Sequence, residues 1–290
     1  MRRSHTRRLY GPFAINYIGA LTAVLLVLVM AGCAPFAYNR YQTAEPLGAG
    51  EMKLMAAAHL GMDLASLIAP EMKDEYDEKL DVWSAENPGY EHMVQRIKDG
   101  DYWDDFEYQG IDGQYFDAEA LFAVGVHDRV DVELRVSGHL YTRLNTKVFI
   151  TDLGKRGRFA VSPGLGYLWI QKQEFTLDHE VCTDSYQGHG YSGEVPFIFS
   201  WHWDHVSPYF APLYTIHYME IDYTRKANVV PTFKSEIHDN FIVHQAGLMV
   251  GVQFQLGDLL LTPEVVGMYH NGEDVDTYAF YPGLALGASW

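Results

Sequence analysis

The stretch VDVELRVS at residues 130–137 alternates strictly between apolar and polar side chains. Its valines and its leucine share one face, and Asp131, Glu133, Arg135 and Ser137 share the other, which is the period of a β-strand with one apolar face. An Arg or Lys side chain that faces the middle of a bilayer costs about 2 to 4 kcal/mol. If this strand crosses a membrane, Glu133 and Arg135 must therefore face inward.

The same alternation recurs along the chain and predicts ten strands. Their expected positions are 51–62, 117–127, 130–142, 146–153, 158–172, 192–204, 208–224, 240–256, 259–271 and 277–290. Most of them reach the roughly 9 to 11 residues that a tilted strand needs to cross a bilayer. Together they predict an all-β fold, an antiparallel up-and-down transmembrane β-barrel of about ten strands with a partly helical acidic external loop.

The connections between the predicted strands alternate in length. The short ones are 127–129, 154–157, 204–207 and 257–258, and the long polar ones are 63–116, 173–191 and 225–239. Transmembrane barrels combine short periplasmic turns with longer external loops. A first strand that starts from the periplasm puts all four short turns on that side, although the short link 143–145 then falls among the external loops. An even strand number returns the C-terminus to the periplasm.

The face of each strand opposite its apolar face distinguishes a membrane barrel from a soluble one. In 245–255 and 281–289 this face carries small or uncharged side chains, which suit a crowded lumen better than water. The aromatic residues near strand ends suit the interfacial girdles of membrane barrels. They include Trp169, Trp203, Tyr209 and Tyr269. In the alternative, a soluble β-sandwich, these aromatics form the core.

The N-terminus has the pattern of an export signal. Four Arg residues precede an apolar run at 20–30, and the small pair Ala31-Gly32 follows it. This order of charged, apolar and small residues is typical of a secretory signal peptide. The run is shorter than the roughly 20 apolar residues of a transmembrane helix, so we expect residues 1–32 to be removed after export.

The end of this signal resembles a lipidation motif. Residues 30–33, Met-Ala-Gly-Cys, resemble the lipobox of bacterial lipoproteins, a family that usually has Leu where Met30 stands. The resemblance implies that Cys33 becomes the first residue of the mature chain and carries a diacylglycerol and an N-acyl chain such as palmitate. Ala34 after the cysteine implies sorting to the outer membrane. The alternative is an ordinary secretory signal with an incidental cysteine.

The expected organisation follows from these features. It consists of a signal peptide at 1–32, a lipidated periplasmic tether at 33–50, and an outer-membrane barrel at 51–290 with an insert loop at 63–116. Trp290, preceded by apolar residues at alternate positions, resembles the C-terminal signature by which outer-membrane barrels are recognised for assembly. The expected partners are outer-membrane lipid, the lipoprotein-processing machinery and the barrel assembly machinery.

The charge of the chain excludes one class of partner. It holds 21 basic and 38 acidic residues, a formal charge of −17, and loss of residues 1–32 removes four Arg and makes the charge −21. Such a surface repels nucleic acid and favours cations or basic partners. No nucleic-acid partner is expected.

The segment 63–117 concentrates the negative charge, with 16 acidic and four basic residues. Apolar residues at helical spacing predict a helix in its first half. Its second half places Asp101, Asp104, Asp105 and Glu107 among aromatic residues, and these carboxylates form a candidate weak calcium site, because calcium prefers clustered oxygen ligands. EF-hand spacing is absent. The alternatives are a solvated loop or a surface for a basic protein, and no cofactor is expected besides the acyl groups.

Inward-facing polar positions predict a network in the lumen. Its expected members are Lys53, His59, Glu119, Glu133, Arg135, His139, Glu194, His202, His217, Gln245, Gln253, Glu264 and His270. We interpret it as a charge-paired lumen, because buried charges need partners. The alternative is a catalytic constellation, since His beside Glu can transfer protons near neutral pH. Side chains fill the interior of a small barrel, so no wide pore is expected.

The predicted function is a structural or interaction role through the acidic external loops, without catalysis. A hydrolase similar to the omptins, which are ten-stranded outer-membrane proteases with acidic and His-Asp pairs at the external rim, is one alternative. A lipid-tethered soluble β-barrel that binds a hydrophobic ligand is another. No stretch reproduces an omptin motif. Two groupings lie toward the predicted rim: His217, Glu220 and Asp222, and His270, Glu273 and Asp274.

Overall fold

The computed structural model describes most of the chain from Arg40 onward. The described ranges are 40–62, 77–92, 94–95, 114–137, 141–177, 182–227, 234–271 and 276–290. Several residues singled out in the sequence lie outside these ranges: Cys33, Asp101, Asp104, Asp105, Glu107, His139, Glu273 and Asp274.

The described residues form one antiparallel sheet. Its strands are β1 (Met52–Met62), β2 (Gln114–His127), β3 (Val130–Ser137), β4 (Thr142–Leu153), β5 (Gly157–Val161), β6 (Gly164–Leu177), β7 (Cys182–Trp201), β8 (Val206–Ala227), β9 (Lys234–Leu256), β10 (Leu259–Asn271) and β11 (Asp276–Ser289). β5 and β6 are two parts of one barrel strand, because both pair with β4 on one side and with β7 on the other. The break falls at Ser162-Pro163, where proline has no N–H to donate. The barrel therefore has ten strands, and the predicted fold class is confirmed.

The sheet closes on itself through its first and last strands. β1 pairs with β11 from Lys53 opposite Ser289 to His59 opposite Gly283. Beyond this ladder, the Met52 and Trp290 backbones exchange two hydrogen bonds of 2.9 and 3.0 Å. Closure satisfies the backbone groups that an open sheet would leave unpaired at its edges.

The two ends of the barrel differ in their connections. The turn end is defined by the connections 128–129, 154–156, 202–205 and 257–258, and the opposite end is the loop end. Gly154 and Gly257 have positive φ angles of 76° and 66°. Glycine adopts this conformation without a steric penalty, which is why these reversals can be so short.

Two expectations about the connections at the loop end are wrong. The link after β3 is not at 143–145, because Arg143, Leu144 and Asn145 lie in β4 and pair with β3 and β6. The expected loops 173–191 and 225–239 are mainly paired strand, with Leu177 opposite Cys182 and Lys226 opposite Lys234. β8 and β9, with 22 and 23 residues, are about twice as long as a bilayer requires. In a membrane, strands of this length would project beyond the bilayer.

The predicted orientation of the strand faces is confirmed. Leu165 on the outer face is 73% exposed, whereas Arg135 on the inner face is 1% exposed. Large exposed apolar side chains occupy outward positions on β2 to β4 and on β6 to β11. One of the expected girdle residues is an exception: Tyr209 is buried and its hydroxyl donates to Glu264 in the lumen at 2.6 Å. The barrel is thus apolar outside and charged inside.

A helical segment of the insert lies at the loop end. Residues 77–86 are helical, as the apolar spacing predicts, and Asn87 donates to the Trp83 carbonyl at 2.8 Å at the end of this segment. Leu80 is buried in the apolar cluster that lines the loop-end half of the lumen, and Lys79 donates to the Glu236 carbonyl at 2.6 Å. Part of the acidic insert therefore covers the loop end of the barrel. None of the described helical residues forms a helix long and apolar enough to cross a membrane.

Candidate functional site: the charged lumen

The N-terminal segment 40–47 runs inside the barrel. The residues from Arg40 to Ala44 are buried, although the sequence assigns them to a periplasmic tether. Ala44 donates its backbone N–H to the Ser200 hydroxyl at 3.0 Å, near the turn end of β7. Gly50 donates its backbone N–H to the Gly125 carbonyl at 2.8 Å, where the chain enters β1. We call residues 40–47 the lumen segment.

Glu264 on β10 binds the backbone of the lumen segment. Its two carboxylate oxygens accept the N–H groups of Arg40 and Tyr41 at 2.6 and 2.9 Å, and one of them also accepts the Tyr209 hydroxyl. Tyr41 has a φ of 51°, a left-handed conformation that costs an L-residue roughly 1 to 2 kcal/mol. Hydrogen bonds to a carboxylate are stronger than neutral ones and offset this strain.

Arg135 on β3 joins the wall to the lumen segment. Its guanidinium pairs with Glu119 at 2.9 Å and with Glu133, and it donates to the carbonyl of Arg40. All of these groups are buried. Arg135 thus balances two carboxylates of the wall and also satisfies a backbone acceptor that does not belong to the wall.

Glu194 on β7 binds the Arg40 side chain of the lumen segment. It pairs with Arg40 and, at 3.2 Å, with Arg143 of β4, while Asn145 donates its amide to it at 2.6 Å. Arg143 and Asn145 are buried next to each other along the inner face of β4. Two cations and an amide donor therefore surround this carboxylate.

Two lysines hold the segment nearer the turn end. Lys53 donates to the Tyr41 carbonyl at 3.0 Å, and Lys147 donates to the Glu45 carbonyl at 2.6 Å while pairing with Asp131 at 2.7 Å. Asp131 in turn accepts the backbone N–H of Leu47 at 3.0 Å. A cavity of about 230 Å³, lined mainly by polar side chains, lies beside these contacts.

The buried charges of the described residues balance. Five are basic, namely Arg40, Lys53, Arg135, Arg143 and Lys147, and five are acidic, namely Glu119, Asp131, Glu133, Glu194 and Glu264. A buried charge without a partner is strongly destabilising. The wall alone carries one more acid than base, so the lumen segment completes the balance through Arg40.

The histidines of the lumen occupy different positions. His217 contacts Gln245 at 3.0 Å, the Gln245 amide donates to His270 at 2.8 Å, and His270 contacts the Tyr281 hydroxyl at 2.9 Å. His59 is buried beside the ring of Tyr41. His202 lies instead at the mouth of the turn end. The three groups of histidines are thus separated along the barrel.

The first rim grouping is divided between two faces. His217 points into the lumen, whereas Glu220 and Asp222 point outward from β8. Asp222 pairs with His238 of β9 at 2.6 Å, and Glu220 lies 3.3 Å from His189. The hydrogen bond between Asp222 and His238 lowers the pKa of Asp222 and raises the pKa of His238. The sequence indicated the carboxylates but not these partners.

Sequence reasoning missed several members of the network, among them Asp131, which was placed on the inner face of its strand but not in the network. Arg143 and Asn145 were placed in a loop, Lys147 was in the shortest predicted strand, and Arg40 was in the tether. The alternation of Arg143, Asn145 and Lys147 with Leu144 and Thr146 was the available signal. In the described part of the chain, no three His, Cys, Asp or Glu side chains are grouped so that they could hold a metal ion.

We expect Glu264→Gln to loosen the lumen segment. The substitution removes the charge that accepts two backbone N–H groups, and hydrogen bonds to charged groups contribute about 1.5 to 3 kcal/mol each. Maleimide labelling of Thr43→Cys in a background that carries Cys33→Ser and Cys182→Ser should become about tenfold faster or more. Asp258→Asn, at an exposed position of the turn end, is the control. Unchanged labelling would show that Glu264 does not hold the segment.

Acidification should weaken the turn-end contacts. The hydrogen bond from His202 and the nearby Arg158 guanidinium lower the pKa of Glu45, which lies at the turn-end mouth. Because the folded pKa is depressed, Glu45 stabilises the fold above its unfolded pKa, and this contribution is lost as the pH falls through the folded pKa. In urea unfolding between pH 3 and 7, acidification should lower the free energy of unfolding less in Glu45→Gln than in the parent or in Asp128→Asn. Equal pH profiles would contradict this role.

The structure defines a closed ten-stranded antiparallel barrel with a charged lumen that its own N-terminal segment occupies. No family model and no curated protein matches the chain. Among solved structures, the chain is similar to the translocator domain of the autotransporter NalP from Neisseria meningitidis, with 9% identity, a TM-score of 0.38, and coverage of 96% of this chain and 95% of that one. Neisserial surface protein A has 12% identity and a TM-score of 0.32, with coverage of 82% of this chain and 94% of that one. Ail of Yersinia pestis has 10% identity and a TM-score of 0.30, with coverage of 83% of this chain and 99% of that one. All three TM-scores are below 0.5, so the barrel fold is established by this chain's own strand pairing.

Proposed function

We propose that the protein is a lipid-bearing barrel of the bacterial outer membrane with a structural or interaction role and no catalytic one. The observation that carries this proposal is the apolar outer band. It lies between aromatic residues at two levels, such as Trp201 and Tyr191 on β7, which are both exposed. Ten residues of strand at a tilt of about 40° rise about 25 Å, which matches the apolar band of transmembrane barrels.

The distribution of polarity favours this proposal over a lipid-tethered soluble barrel. A soluble barrel with a hydrophobic ligand has an apolar interior and a polar exterior. Here ten charges are buried in the lumen, and the exposed face carries side chains such as Leu248, Leu284 and Leu286. A continuous apolar surface of this kind indicates contact with a membrane or a partner.

The lipid part of the proposal rests on the lipobox-like motif that ends at Cys33. Acylation there, with palmitate as a typical chain, would follow cleavage of residues 1–32, and the C-terminal Trp290 would direct assembly of the barrel. The diacylglycerol and the N-acyl chain would together hold Cys33 stably at the membrane, because more than one acyl chain is enough for stable anchoring. The barrel would be embedded independently of them through its apolar outer band.

The lumen and the acidic insert favour an interaction role over transport. The lumen segment and the apolar cluster around Leu80 occupy the two halves of the barrel, which favours a closed lumen. The segment 63–117 would then be the binding surface for a basic protein, or for calcium at Asp101, Asp104, Asp105 and Glu107.

A hydrolase of the omptin type is the second candidate function. It is favoured by the Asp222–His238 pair, since a carboxylate can orient a histidine for general base catalysis. This pair lies on the outer surface of the projecting hairpin rather than inside the rim. Loss of peptide hydrolysis in both Asp222→Asn and His238→Ala, with parental folding, would establish this candidate in place of the first.

Fractionation and labelling test the first proposal. Cells that express the protein should yield it in the outer-membrane fraction, and it should migrate faster on a gel when it is not boiled. Labelled palmitate should be incorporated into the parent and not into Cys33→Ser. Recovery of the unlipidated protein in a detergent-free soluble fraction would overturn the membrane barrel, and equal labelling of Cys33→Ser would overturn the lipidation site.

A further inference from the structure

The outer wall of the barrel contains an apolar groove. It encloses about 530 Å³ and is lined mainly by Leu144, Pro163, Leu165, Val195, Tyr214 and Ile216. Two local features create it: the strand breaks at Pro163, and Gly193 contributes no side chain to the outer face. A Cβ built on Gly193 meets only the Ile216 side chain, at 3.6 Å. The groove therefore has room for an additional apolar group.

The groove lies directly outside the point where the lumen segment is held. Glu194, the neighbour of Gly193 on β7, lines the groove and pairs with Arg40 on the inner side of the wall. Cys33 precedes Arg40 by seven residues, which span at most about 25 Å when fully extended. From Glu194 to Trp201, at the turn end of β7, the barrel axis covers about 18 Å. The intervening chain is thus long enough for Cys33 to reach the rim near Trp201.

The distance from that rim to the groove matches the length of an acyl chain. Half of the roughly 30 Å hydrocarbon core of a bilayer is about 15 Å. The six residues from Trp201 to Val195 also correspond to about 15 Å along the axis. We propose that the groove receives an acyl chain carried by Cys33, an inference that rests on the lipidation proposed above.

A tethered chain has an advantage over free lipid in occupying this groove. Between apolar surfaces in a bilayer there is no hydrophobic driving force, and packing decides association. An acyl chain attached within about 25 Å has a high effective concentration at the groove. The outward-facing Leu165, which is 73% exposed, and the gap at Gly193 supply the packing surface.

Photo-crosslinking tests the inference in the full-length protein. Cells are grown with a diazirine-bearing palmitate analogue, membranes are irradiated, and peptides crosslinked to the Cys33 peptide are identified by mass spectrometry. We expect adducts on peptides that contain 144–146, 163–165 and 193–195. Gly193→Phe, which fills the groove, should reduce their yield at least fivefold. Ala58→Phe, on the outer face of β1 across the barrel, should leave it unchanged.

The other outcomes are distinguishable. Labelled Cys33 with adducts spread evenly around the barrel, or on phospholipid alone, would overturn the groove and leave the proposed function intact. A third outcome is crosslinking of the groove peptides to phospholipid, with the same yield in the parent and in Cys33→Ser. This result would identify a bilayer lipid as the occupant and also overturn the inference. A parent protein without label would overturn the lipidation and the inference together.

Discussion

Arg135→Met is expected to lower the free energy of unfolding by about 3 to 5 kcal/mol, the usual effect of breaking a buried ion pair from one side. Methionine has a similar length, so little volume is lost. Glu119 and Glu133 would remain buried with one cation fewer, and the Arg40 carbonyl would lose its donor. Guanidinium unfolding from lipid vesicles, followed by tryptophan fluorescence, measures the change.

Two further variants separate charge from packing in this experiment. Arg129→Met, at an exposed position beside the Phe149 ring, should change stability by about 1 kcal/mol or less. Combining Arg135→Met with Glu133→Gln should recover part of the loss, because the double change removes one charge of each sign. An Arg135→Met effect no larger than that of Arg129→Met would contradict the central role of this ion pair.

Leu248→Arg should destabilise the barrel by about 2 to 4 kcal/mol in vesicles, the cost of an Arg side chain facing the middle of a bilayer. Leu248 is an exposed outward residue of β9, midway between Phe254 near the turn end and Ile242 toward the loop end. Unfolding from vesicles is again the measurement, with recovery in the outer-membrane fraction as the cellular counterpart.

Leu256→Arg is the matched control for depth. It makes the same change on the same face of the same strand, but at the turn end, where Leu256 is exposed next to the turn at 257–258. An Arg near the interface costs about 0 to 1 kcal/mol. Equal effects of the two substitutions would show that the outer face does not meet lipid, and the membrane-embedded barrel would have to be abandoned.

The strands of the apolar outer band were predictable because of a single physical asymmetry. Apolar side chains at alternate positions face one environment throughout the band, as in Leu284 and Leu286 of β11 against the buried Tyr281 and Ala285. Where β8 and β9 project past the band, this contrast weakens, and Asp222 and His238 occupy outward positions. The sequence therefore predicted loops at 225–239 although the strands continue.

The lumen network was predictable only in part. Glu133 and Arg135 were assigned inward because the opposite assignment would expose them to lipid. Arg143 was missed because the predicted end of a strand was misplaced by a few residues. The ion-pair partners could not be derived, since Glu194 and Arg40 are 154 residues apart in the chain.

The sequence by itself determined the alternating strands, their approximate positions and the direction of their apolar faces, because each depends on neighbouring residues that meet the same surroundings. Only the tertiary structure decided where the charges pair and what fills the barrel. Residues 40–47 have no pattern that distinguishes a tether from a buried segment. Their place in the lumen depends on Glu264 of β10 and on Arg135 and Lys147 of the neighbouring strands β3 and β4, which the closed sheet arranges along the segment.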